Sequence, residues 1–394
     1  MRRRMNKFLN IAFLSTYPPR ECGIATFTQD LVRELKKQKH LKTGVIALSD
    51  SQYAYDEDVY FDLPQQGAQG YIKAAERINA SDIQVLIIEH EYGIFGGDSG
   101  EQLLELVKRV KKPIITTLHT VLPSPKEKQR NILKELCQRS EKVVIMASNS
   151  RKLLKDVYGA DPSKIEMIPH GVPSFDIPPQ YELKKEMDME GRIIVSTFGL
   201  LSPGKGLAQG IEAVAQVAKK HPDIIYMILG QTHPVIKKKY GETYRTSLKK
   251  KVQELGLENN VRFVNKYLEK EEIIRSLVLS DIYMTPYLGR EQAVSGTLAY
   301  AIGYGRAVVS TPYPYARELL ADGRGLLADF EDVESLDKNI SFLIEHPEKR
   351  QEMEEKAMRL GVTMRWDAVA GRYIETCFHV FNAWLKKKNE NNRI

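Results

Sequence analysis

Short runs of apolar residues recur along the whole chain, and most are followed by a stretch with helical periodicity. Within a run the apolar residues are continuous rather than alternating with polar ones, which is typical of strands buried on both faces of a parallel sheet. Ten such runs lie at residues 10–15, 43–48, 84–89, 113–118, 142–147, 192–198, 224–229, 261–264, 282–286 and 307–311. Intervening helices are predicted, among others, at residues 23–37, 100–111 and 207–220. The pattern predicts an α/β fold with two doubly wound parallel sheets.

A proline-rich stretch separates the two halves of the chain. Three prolines lie within residues 173–179 and end regular structure there. We therefore predict a first domain at residues 1–175 and a second domain at residues 176–365. Residues 366–394 carry an apolar stripe at helical spacing, which indicates either a terminal core helix or a crossover helix that clasps both domains. Its end, at residues 386–389, is expected to fray.

The composition excludes several classes of protein. The chain has 394 residues, 42% of them hydrophobic, and its 58 basic and 51 acidic side chains give a net charge of only +7. Disorder is therefore excluded as the main state. No apolar run approaches the ~18 residues that a membrane-spanning helix needs. The charge is shared evenly, +4 over residues 1–180 and +3 over the rest, which is too mild to indicate nucleic-acid binding.

The cysteines and the N-terminus indicate a reducing environment. Cys22, Cys137 and Cys377 are odd in number and far apart, so neither a disulfide framework nor a Cys–Cys metal pair is indicated. Residues 1–4 and the apolar stretch after them loosely resemble a secretion signal. However, Asn10 interrupts that stretch and no small-residue cleavage site follows. We expect a buried first strand behind a short basic tail.

A glycine-rich loop follows one predicted strand, and open sheets bind ligands at the carboxyl ends of their strands. Residues 199–206 follow the strand at 192–198, open a helix and nearly match a P-loop. A P-loop has Ser or Thr after its lysine to hold magnesium, whereas this chain has Gly206 after Lys205, so an ATPase or GTPase is not expected. The glycines still let the backbone approach an anion, and Lys205 adds a point charge. The alternative is an exposed loop lysine.

A second predicted helix begins at Ser295, Gly296 and Thr297, one loop after the strand at 282–286. Ser295 is a natural N-cap, and the unpaired amides and positive dipole end of a helix start suit a phosphate. Capping alone is common and needs no ligand. Together with Lys205 in the same domain, however, this helix start favours a diphosphate site.

His119 ends the strand at 113–118 in the first half. A lone histidine is often a buried structural residue, but its place at the carboxyl end of a strand aims it into the cleft expected between the two sheets. Residues 89–93 close an earlier strand and could ligate a metal. Because consecutive residues on an extended chain point to opposite sides, we interpret them as lining the cleft instead.

Two other motifs argue against particular activities, a nicotinamide-dependent dehydrogenase and a manganese-dependent sugar transferase. Gly23 follows the first strand as a lone glycine turn rather than a G-x-G-x-x-G motif, which argues against a nicotinamide dehydrogenase. Asp56, Glu57 and Asp58 mimic the D-x-D motif of manganese-dependent sugar transferases. They lie in a polar stretch at residues 49–62, which indicates a solvated loop.

These motifs, in this order, resemble the family 4 glycosyltransferases with the two-domain GT-B fold, and the resemblance covers nearly the whole chain. Its most specific parts are residues 89–97, 118–120, 168–172, 199–206 and 295–309. The first and last of these resemble a mannosyltransferase-like subgroup of bacterial polysaccharide synthesis. The resemblance implies two Rossmann-like domains facing a central cleft, the second binding a sugar nucleotide and the first presenting the acceptor.

Residue roles follow from the same resemblance. Lys205 would bind the donor diphosphate and Gly23 would open the loop beneath it. His119 would contact the donor sugar near the reacting carbon, and Tyr267 and Leu268 would border the nucleobase. Main-chain donors to the phosphate would come from the start of one helix, at Ser295, Gly296 and Thr297.

The chain departs from the family pattern at two places. Leu200 replaces the arginine usual five residues before the lysine, which removes one positive charge. The paired glutamates of the family, eight residues apart, align with Gln292 and Tyr300, and Glu291 lies one place off register. Either Glu291 takes the catalytic role of the first glutamate, or Gln292 takes it with neutral chemistry.

The resemblance implies a retaining hexosyltransferase that needs no metal or other cofactor and moves mannose from GDP-mannose to a glycan or lipid-linked acceptor in polysaccharide or glycoconjugate synthesis. The alternatives are a disaccharide phosphorylase or sugar-nucleotide epimerase on the same fold, or a degenerate sugar-nucleotide-binding protein, which Leu200 and Tyr300 would suit. The expected partners are the sugar nucleotide and the acceptor, with no nucleic acid. The expected location is cytoplasmic, with peripheral contact at the inner face of the membrane through basic runs at 108–112 and 126–130 as a further option.

Overall fold

The computed structural model describes residues 8–391, so the basic tail expected at residues 1–4 lies outside the described part. The chain divides into two compact units. The first comprises Met1–Gly171 together with Trp366–Ile394, and the second comprises Val172–Arg365.

The first unit contains a seven-stranded sheet in which every pairing is parallel. Its strands in chain order are β1 (Leu9–Ser15), β2 (Leu41–Ser49), β3 (Val59–Pro64), β4 (Val85–His90), β5 (Ile114–Leu118), β6 (Lys142–Ile145) and β7 (Ile165–Met167). Across the sheet the order is β3-β2-β1-β4-β5-β6-β7, so the winding direction reverses between β1 and β4. Such a reversal marks the point where open sheets bind ligands.

The second unit contains a six-stranded parallel sheet of the same kind. Its strands are β8 (Ile193–Phe198), β9 (Ile224–Leu229), β10 (Val261–Val264), β11 (Ile282–Thr285), β12 (Ala307–Ser310) and β13 (Leu326–Leu327). The order is β10-β9-β8-β11-β12-β13, with the reversal between β8 and β11. The predicted α/β class with two doubly wound sheets is confirmed.

Helices connect the strands in both units. Those of the first unit are α1 (Gly23–Lys36), α2 (Ala68–Ala80), α3 (Leu103–Val107), α4 (Glu127–Arg139) and α5 (Asn149–Tyr158). Those of the second unit are α6 (Gln180–Glu186), α7 (Leu207–Val217), α8 (Pro234–Tyr240), α9 (Thr243–Glu254), α10 (Lys270–Leu279), α11 (Gly296–Gly303), α12 (Pro314–Leu319), α13 (Val333–Glu345) and α14 (Pro347–Thr363). The last helix, α15 (Trp366–Asn391), belongs to the first unit.

Each unit has its own apolar core between sheet and helices. Every residue of β1, β4 and β9 is buried, which accounts for their largely apolar sequences. Burying one Leu, Ile or Val side chain stabilises the fold by roughly 1.5–3 kcal/mol. The central strands therefore fix the position of the loops at their carboxyl ends.

The apolar stripe of α15 packs on the first unit. The Trp366 ring lies edge-on to Phe27 of α1, with centroids 5.0 Å apart, and the Tyr373 hydroxyl shares a buried 3.0 Å hydrogen bond with Thr117. The prediction that the chain frays at residues 386–389 is wrong, since α15 continues to Asn391. The predicted clasp on both domains stays a prediction. No helix among residues 8–391 is both long and apolar enough to cross a bilayer.

The sheets contain three strands beyond the ten expected, namely β3, β7 and β13. β3 lies partly within residues 49–62, which were expected to form a loop. It is a half-exposed edge strand, and the other two have only three and two residues. The helix expected at 100–111 is confined to the five residues of α3.

Candidate functional site

The carboxyl ends of β8 and β11 lie side by side at the reversal point of the second sheet. The loop after β8 carries Lys205, and the loop after β11 carries Tyr287 and leads into α11. The fold thereby joins segments that are about 80 to 90 positions apart in sequence. An open α/β sheet binds its ligand at this position.

Gly206 holds the loop after β8 against the end of β11. It has a φ of +62°, and a Cβ atom built there would lie 1.8 Å from the carbonyl oxygen of Pro286. Leu288 donates its backbone N–H to the carbonyl of Gly204 at 3.0 Å. Position 206 therefore accepts only glycine, and the serine or threonine of a P-loop does not fit there.

Lys205, Tyr287, Thr297 and Ser295 form a continuous chain of hydrogen bonds. The Lys205 ammonium donates to the Tyr287 hydroxyl at 2.8 Å, and this hydroxyl shares a hydrogen bond with Thr297 Oγ1, also at 2.8 Å. Thr297 Oγ1 in turn lies 3.1 Å from Ser295 Oγ. The loop after β8, which carries Lys205, is thus connected to the start of α11 through side-chain hydrogen bonds.

Tyr287 is the centre of this chain. Its ring is buried, lies 4.0 Å from the Lys205 ammonium and stacks on Tyr313 with centroids 5.4 Å apart. Burial raises the pKa of Tyr287, but the charge of Lys205 and the hydrogen bonds from Lys205, Thr297 and Ser295 outweigh it and hold the pKa below its ordinary value. Sequence reasoning missed Tyr287 because a tyrosine after an apolar strand has the pattern of a core residue.

The start of α11 is built to attract an anion. Ser295 is its N-cap, as predicted, and accepts the backbone N–H of Leu298 at 3.3 Å. The first amides of a helix have no acceptor within the helix and carry the positive end of its dipole. A Cβ atom built on Gly199, just after β8, would lie 3.5 Å from the methyl group of Thr297. The loop after β8 and the start of α11 are therefore adjacent walls of one site.

A recess beside Lys205 is lined by Gly199 and Leu200. Leu200, which stands where the family pattern has an arginine, therefore gives this recess an apolar wall.

His233 follows β9 and lies within the electrostatic reach of Lys205. Burial first, and then the positive charge of Lys205, lower the pKa of His233. Its Nδ1 accepts the backbone N–H of Val235 at 3.2 Å, and its own backbone N–H donates to Leu201 at 2.9 Å. Burial and the lysine charge therefore both favour the neutral imidazole. Sequence reasoning missed this residue, although its position just after a strand was an available signal.

The other predicted residues of the second unit are more scattered. Glu291 and Gln292 are exposed on the loop before α11, and the Gln292 amide donates to the carbonyl of Val294 at 2.6 Å. Tyr300 is buried, so position 300 offers an aromatic ring in the core instead of a carboxylate.

Tyr267 and Leu268 follow β10, which β9 separates from β8. Tyr267 is 41% exposed, whereas Leu268 is buried.

In the first unit, His119 is fixed by a buried carboxylate. Its Nε2 lies 2.8 Å from Oε2 of Glu89, whose side chain is fully buried near the end of β4. Thr117 donates to the other oxygen of Glu89 at 3.3 Å, and Phe27 packs edge-on against the imidazole at 5.0 Å. Because the hydrogen bond to Glu89 uses Nε2 of His119, it does not occupy the other ring nitrogen, Nδ1. Glu89 is a partner that sequence reasoning missed, because it depends on the register that pairs Glu89 with Thr117.

His90 is fully buried beside this pair. It lies edge-on to Tyr92 at 5.0 Å and stacks on Phe95 at 5.9 Å. Neither ring nitrogen has a hydrogen-bond partner among the described residues. Burial, and then the charge of His119, lower the pKa of His90 to about 3. The prediction that residues 89–93 line a cleft is wrong for Glu89 and His90, since neither side chain reaches the surface.

A second neutral histidine, His170, lies in the same unit. It is buried against Phe27, and its Nδ1 bonds the carbonyl of Gly171 at 2.8 Å. Burial lowers the pKa of His170 to about 4, despite an opposing contribution from that hydrogen bond.

The two weaker motifs lie elsewhere in the first unit. Gly23 begins α1, and a Cβ atom built there meets no described atom within 4 Å, so packing does not require glycine. Asp58 accepts a hydrogen bond from the Tyr17 hydroxyl at 2.6 Å and pairs with Lys36, so it has a structural role beyond that of a solvated loop.

Within residues 8–391, no group of three His, Cys, Asp or Glu side chains is arranged to hold a metal ion.

Two family models match the chain. Residues 22–174 match Glycosyltransferase Family 4, and residues 181–360 match Glycosyl transferases group 1. A curated relative, the spore coat protein SA of Bacillus subtilis (strain 168), is 22% identical over 194 residues. That alignment covers 48% of this chain and 49% of the relative, so it spans about half the length of the relative.

Solved structures share the fold over nearly the whole chain. Sucrose-phosphate synthase from Thermosynechococcus elongatus superimposes with a TM-score of 0.77 at 15% identity, covering 95% of this chain and 100% of that one. A glycosyltransferase from Rickettsia africae gives 0.76 at 16% identity, with 94% and 98% covered. Anabaena HepE in complex with UDP and glucose gives 0.71 at 17% identity, with 93% and 99% covered.

The family matches divide along the chain much as the fold does. The first falls almost entirely on the first unit, and the second falls within the second unit. The two Rossmann-like units have the architecture of the structural neighbours. The first unit is thus similar to Glycosyltransferase Family 4 and the second unit to Glycosyl transferases group 1, and the chain shares the GT-B fold of these structural neighbours.

Proposed function

We propose that the protein transfers a hexose from a sugar nucleotide to a glycan or lipid-linked acceptor, with retention of configuration and without a metal ion. The observation that carries this proposal is the hydrogen-bonded chain from Lys205 through Tyr287 and Thr297 to Ser295. It connects a cation to a helix start, and these two features can neutralise a diphosphate without a metal.

The leaving group of the proposed reaction is a nucleoside diphosphate. As the bond between the anomeric carbon and the phosphate oxygen breaks, negative charge grows on the phosphate. Lys205 and the first amides of α11 stabilise that charge best once it has developed, which lowers the barrier. Tyr287 and Ser295 hold these groups in place before the donor arrives, so little reorganisation is needed.

We assign His119 a contact with the donor sugar, as a hydrogen-bond partner and stabiliser of developing positive charge rather than as a nucleophile. Its support is the fixed ring, with Nε2 bonded to Glu89 and one edge packed by Phe27. Nδ1 is therefore held in one direction. Glu89 acts in this proposal as a positioning residue.

The remaining assignments keep the roles that the family resemblance implies. Glu291 or Gln292 would bind sugar hydroxyls, and both are exposed to a ligand on the loop before α11. Tyr267 and Leu268 would border the nucleobase, and Gly23 would leave room for the diphosphate.

GDP-mannose is the proposed donor, because residues 89–97 and 295–309 resemble mannosyltransferases. Solved complexes of the HepE neighbour contain UDP or UDP-glucose, which makes UDP-glucose the competing donor. Leu200 removes one charge from the diphosphate site, so affinity is expected to depend strongly on Lys205.

A thermal-shift panel of GDP, UDP, ADP and their hexose conjugates in EDTA tests the donor site. A ligand at ~100 times its dissociation constant adds about 2.7 kcal/mol to the free energy of unfolding, which is a measurable shift. The stabilising sugar nucleotide is then offered with glycan and lipid-linked acceptors, and NMR identifies the anomeric configuration of the product.

The outcomes separate the proposal from its alternatives. Stabilisation and transfer in EDTA with retained configuration support it, whereas transfer that returns only with manganese contradicts metal independence. Phosphorolysis of a disaccharide without nucleotide would identify a phosphorylase, and epimerised donor without transfer an epimerase. Donor hydrolysis with no acceptor product would identify a degenerate binding protein, which the buried Tyr300 would suit.

A further inference from the structure

One segment of the second unit carries almost all of the net charge of the chain. Residues 234–251, which span α8 and most of α9, contain seven basic side chains and one acidic side chain. Their net charge of +6 compares with +7 for all 394 residues. The even split between the two halves of the sequence hides this concentration. We call residues 234–251 the lysine segment.

Several charges of the lysine segment are exposed and lack a counter-charge. Lys238, Lys239 and Lys249 are exposed, and none of them forms an ion pair with any residue that the structure describes. Lys237 and Lys250 each lie 3.5 Å from a glutamate but remain 60% and 75% exposed. The positive field of the segment therefore faces solvent.

Two basic side chains of the segment are held by the fold: Lys251 pairs with Glu212, and Arg245 fastens the segment to the sheet. Arg245 is buried, donates to the carbonyl of Gly230 at 2.7 Å and lies 3.4 Å from Glu242. Gly230 directly follows β9. The exposed lysines are thus presented by a fixed part of the fold.

Two apolar side chains of α8 are exposed among these lysines. Val235 is 66% exposed and Tyr240 is 55% exposed. Residues three and four apart share a helix face, so Val235 lies beside Lys238 and Lys239. The Lys239 ammonium also lies 4.9 Å from the Tyr240 ring centroid. Exposed lysines attract an anionic membrane surface, and exposed aliphatic and aromatic side chains beside them add apolar area that can be buried in its interface.

The lysine segment begins next to the candidate site. Its first helix is capped by His233, which donates its backbone N–H at 2.9 Å to the carbonyl of Leu201, in the loop after β8 that carries Lys205. The segment therefore lies at the carboxyl edge of the second sheet, where the phosphate-binding residues are proposed.

The basic runs of the first unit differ from the lysine segment. Arg109 pairs with Glu105 at 2.6 Å, and Lys128 pairs with Asp98 and Glu101 at 3.0 and 2.9 Å. The difference lies in the apolar groups: no large hydrophobic side chain within residues 108–112 or 126–130 is exposed, whereas the lysine segment exposes Val235 and Tyr240.

We propose that the lysine segment docks on the surface of an anionic phospholipid bilayer. The lysines would contact the headgroup phosphates, while Val235 and Tyr240 would enter the boundary with the acyl chains. A nucleic acid offers phosphates but no apolar phase, so the exposed Val235 and Tyr240 favour the bilayer. Docking would bring the site to a lipid-linked acceptor, and that consequence alone rests on the proposed function.

Sedimentation of the full chain with vesicles tests the proposal. The vesicles contain phosphatidylcholine with or without phosphatidylglycerol, at low and high salt. Binding is expected only with phosphatidylglycerol and should weaken as salt rises. Replacing Lys238, Lys239 and Lys249 together by alanine should lower the partition coefficient about a hundredfold, because each lysine near an anionic surface contributes a factor of about five.

A matched variant controls for net charge. Lys108→Ala, Lys111→Ala and Lys126→Ala together remove the same charge from exposed positions of the first unit and should leave vesicle binding almost unchanged. A second variant, Val235→Ser with Tyr240→Ser, keeps every charge. It should weaken binding at low salt and abolish the residual binding at high salt.

Equal losses in the two triple variants, or equal binding to neutral vesicles, would overturn the proposal. So would vesicle binding that survives in the Lys238–Lys239–Lys249 variant while binding to a homopolymeric nucleic acid is lost. Nucleoside diphosphate affinity, measured by calorimetry on each variant, should not change. Failure of the vesicle test with that affinity intact would leave the proposed function standing.

Discussion

Replacing Tyr287 by phenylalanine removes one oxygen atom from the candidate site and keeps the ring. That oxygen accepts a hydrogen bond from the Lys205 ammonium at 2.8 Å and shares another with Thr297 Oγ1, also at 2.8 Å. Without it, the two side chains lose their common partner and Lys205 regains its rotamer freedom. The stacking on Tyr313 is retained, so we expect weaker binding of nucleoside diphosphate without loss of the fold.

The magnitude follows from the ordering of one lysine. Fixing a lysine side chain costs roughly 1.5–2 kcal/mol of conformational free energy. In the native protein Tyr287 restrains Lys205 before a ligand arrives, whereas in Tyr287→Phe the ligand itself must order it. Since about 1.4 kcal/mol corresponds to a tenfold change, the dissociation constant should rise by about 10- to 30-fold.

Isothermal titration calorimetry with the diphosphate selected by the thermal-shift panel measures this change. Tyr313→Phe is the matched control, because it removes a hydroxyl from the stacked partner ring. That hydroxyl lies 3.5 Å from Thr285, and its loss should leave affinity nearly unchanged. In the Lys205→Ala background, Tyr287→Phe should have no further effect, since the restrained side chain is gone.

Two results would refute this reasoning. Native affinity in Tyr287→Phe would show that the hydroxyl does not restrain Lys205 in a way that matters for binding. An equal loss in Tyr313→Phe would show that removing a hydroxyl from either stacked ring weakens binding, whether or not that hydroxyl bonds Lys205. Fully additive losses in the double variant with Lys205 would mean that Tyr287 acts by a route independent of the lysine.

Three further predictions address the remaining groups. Lys205→Ala should weaken nucleoside diphosphate binding by about 10- to 150-fold in calorimetry, since a charge-assisted contact contributes roughly 1.5–3 kcal/mol; unchanged affinity would contradict it. His119→Gln keeps a hydrogen-bonding group for Glu89 but removes Nδ1, so turnover should fall by ~100-fold while diphosphate affinity and melting temperature hold. Earlier melting with normal turnover per folded molecule would make His119 purely structural. Finally, His90 and His170, with pKa values lowered from 6.5 to about 3 and about 4, stay neutral in the fold but gain protons on unfolding below pH 6.5. The free energy of unfolding should therefore fall as the pH drops from 6.5 towards 4, by up to about 2.7 kcal/mol per pH unit. Urea titrations at pH 7.5, 6.5 and 5.5 measure this slope, and a flat profile would contradict it.

The centre of each sheet could be predicted from sequence, and the edges could not. β1, β4 and β9 are buried along their whole length, so each has a largely apolar sequence that can be recognised without knowing the neighbouring strands. β3 is half-exposed, and β13 has only two residues, so their sequences resemble those of loops. Their strand structure comes from pairing with an inner strand, which a local pattern does not record.

The site divides in the same way. Lys205 and Ser295 have local signatures, a glycine-rich turn and a helix cap, and the sequence therefore indicated both. The link between them through Tyr287 depends on β8 lying next to β11, and the pairing of His119 with Glu89 depends on the register of β4 and β5. Both contacts depend on the tertiary structure and therefore leave no local signature in the sequence. Glu291 and Gln292 are candidates through the family resemblance alone, and both are exposed on the loop before α11.

The chain order of the first unit has a consequence for synthesis. Its last helix, α15, follows all 194 residues of the second unit, yet supplies the buried partners of Phe27 and Thr117. At roughly 5–20 residues per second, a ribosome needs roughly 10 to 40 s to translate the intervening segment. During that interval the face of α1 that Trp366 covers stays open to water, while the contiguous second unit emerges whole. The unit that begins first is therefore the one completed last, and its nascent form is the one that chaperones have most time to meet.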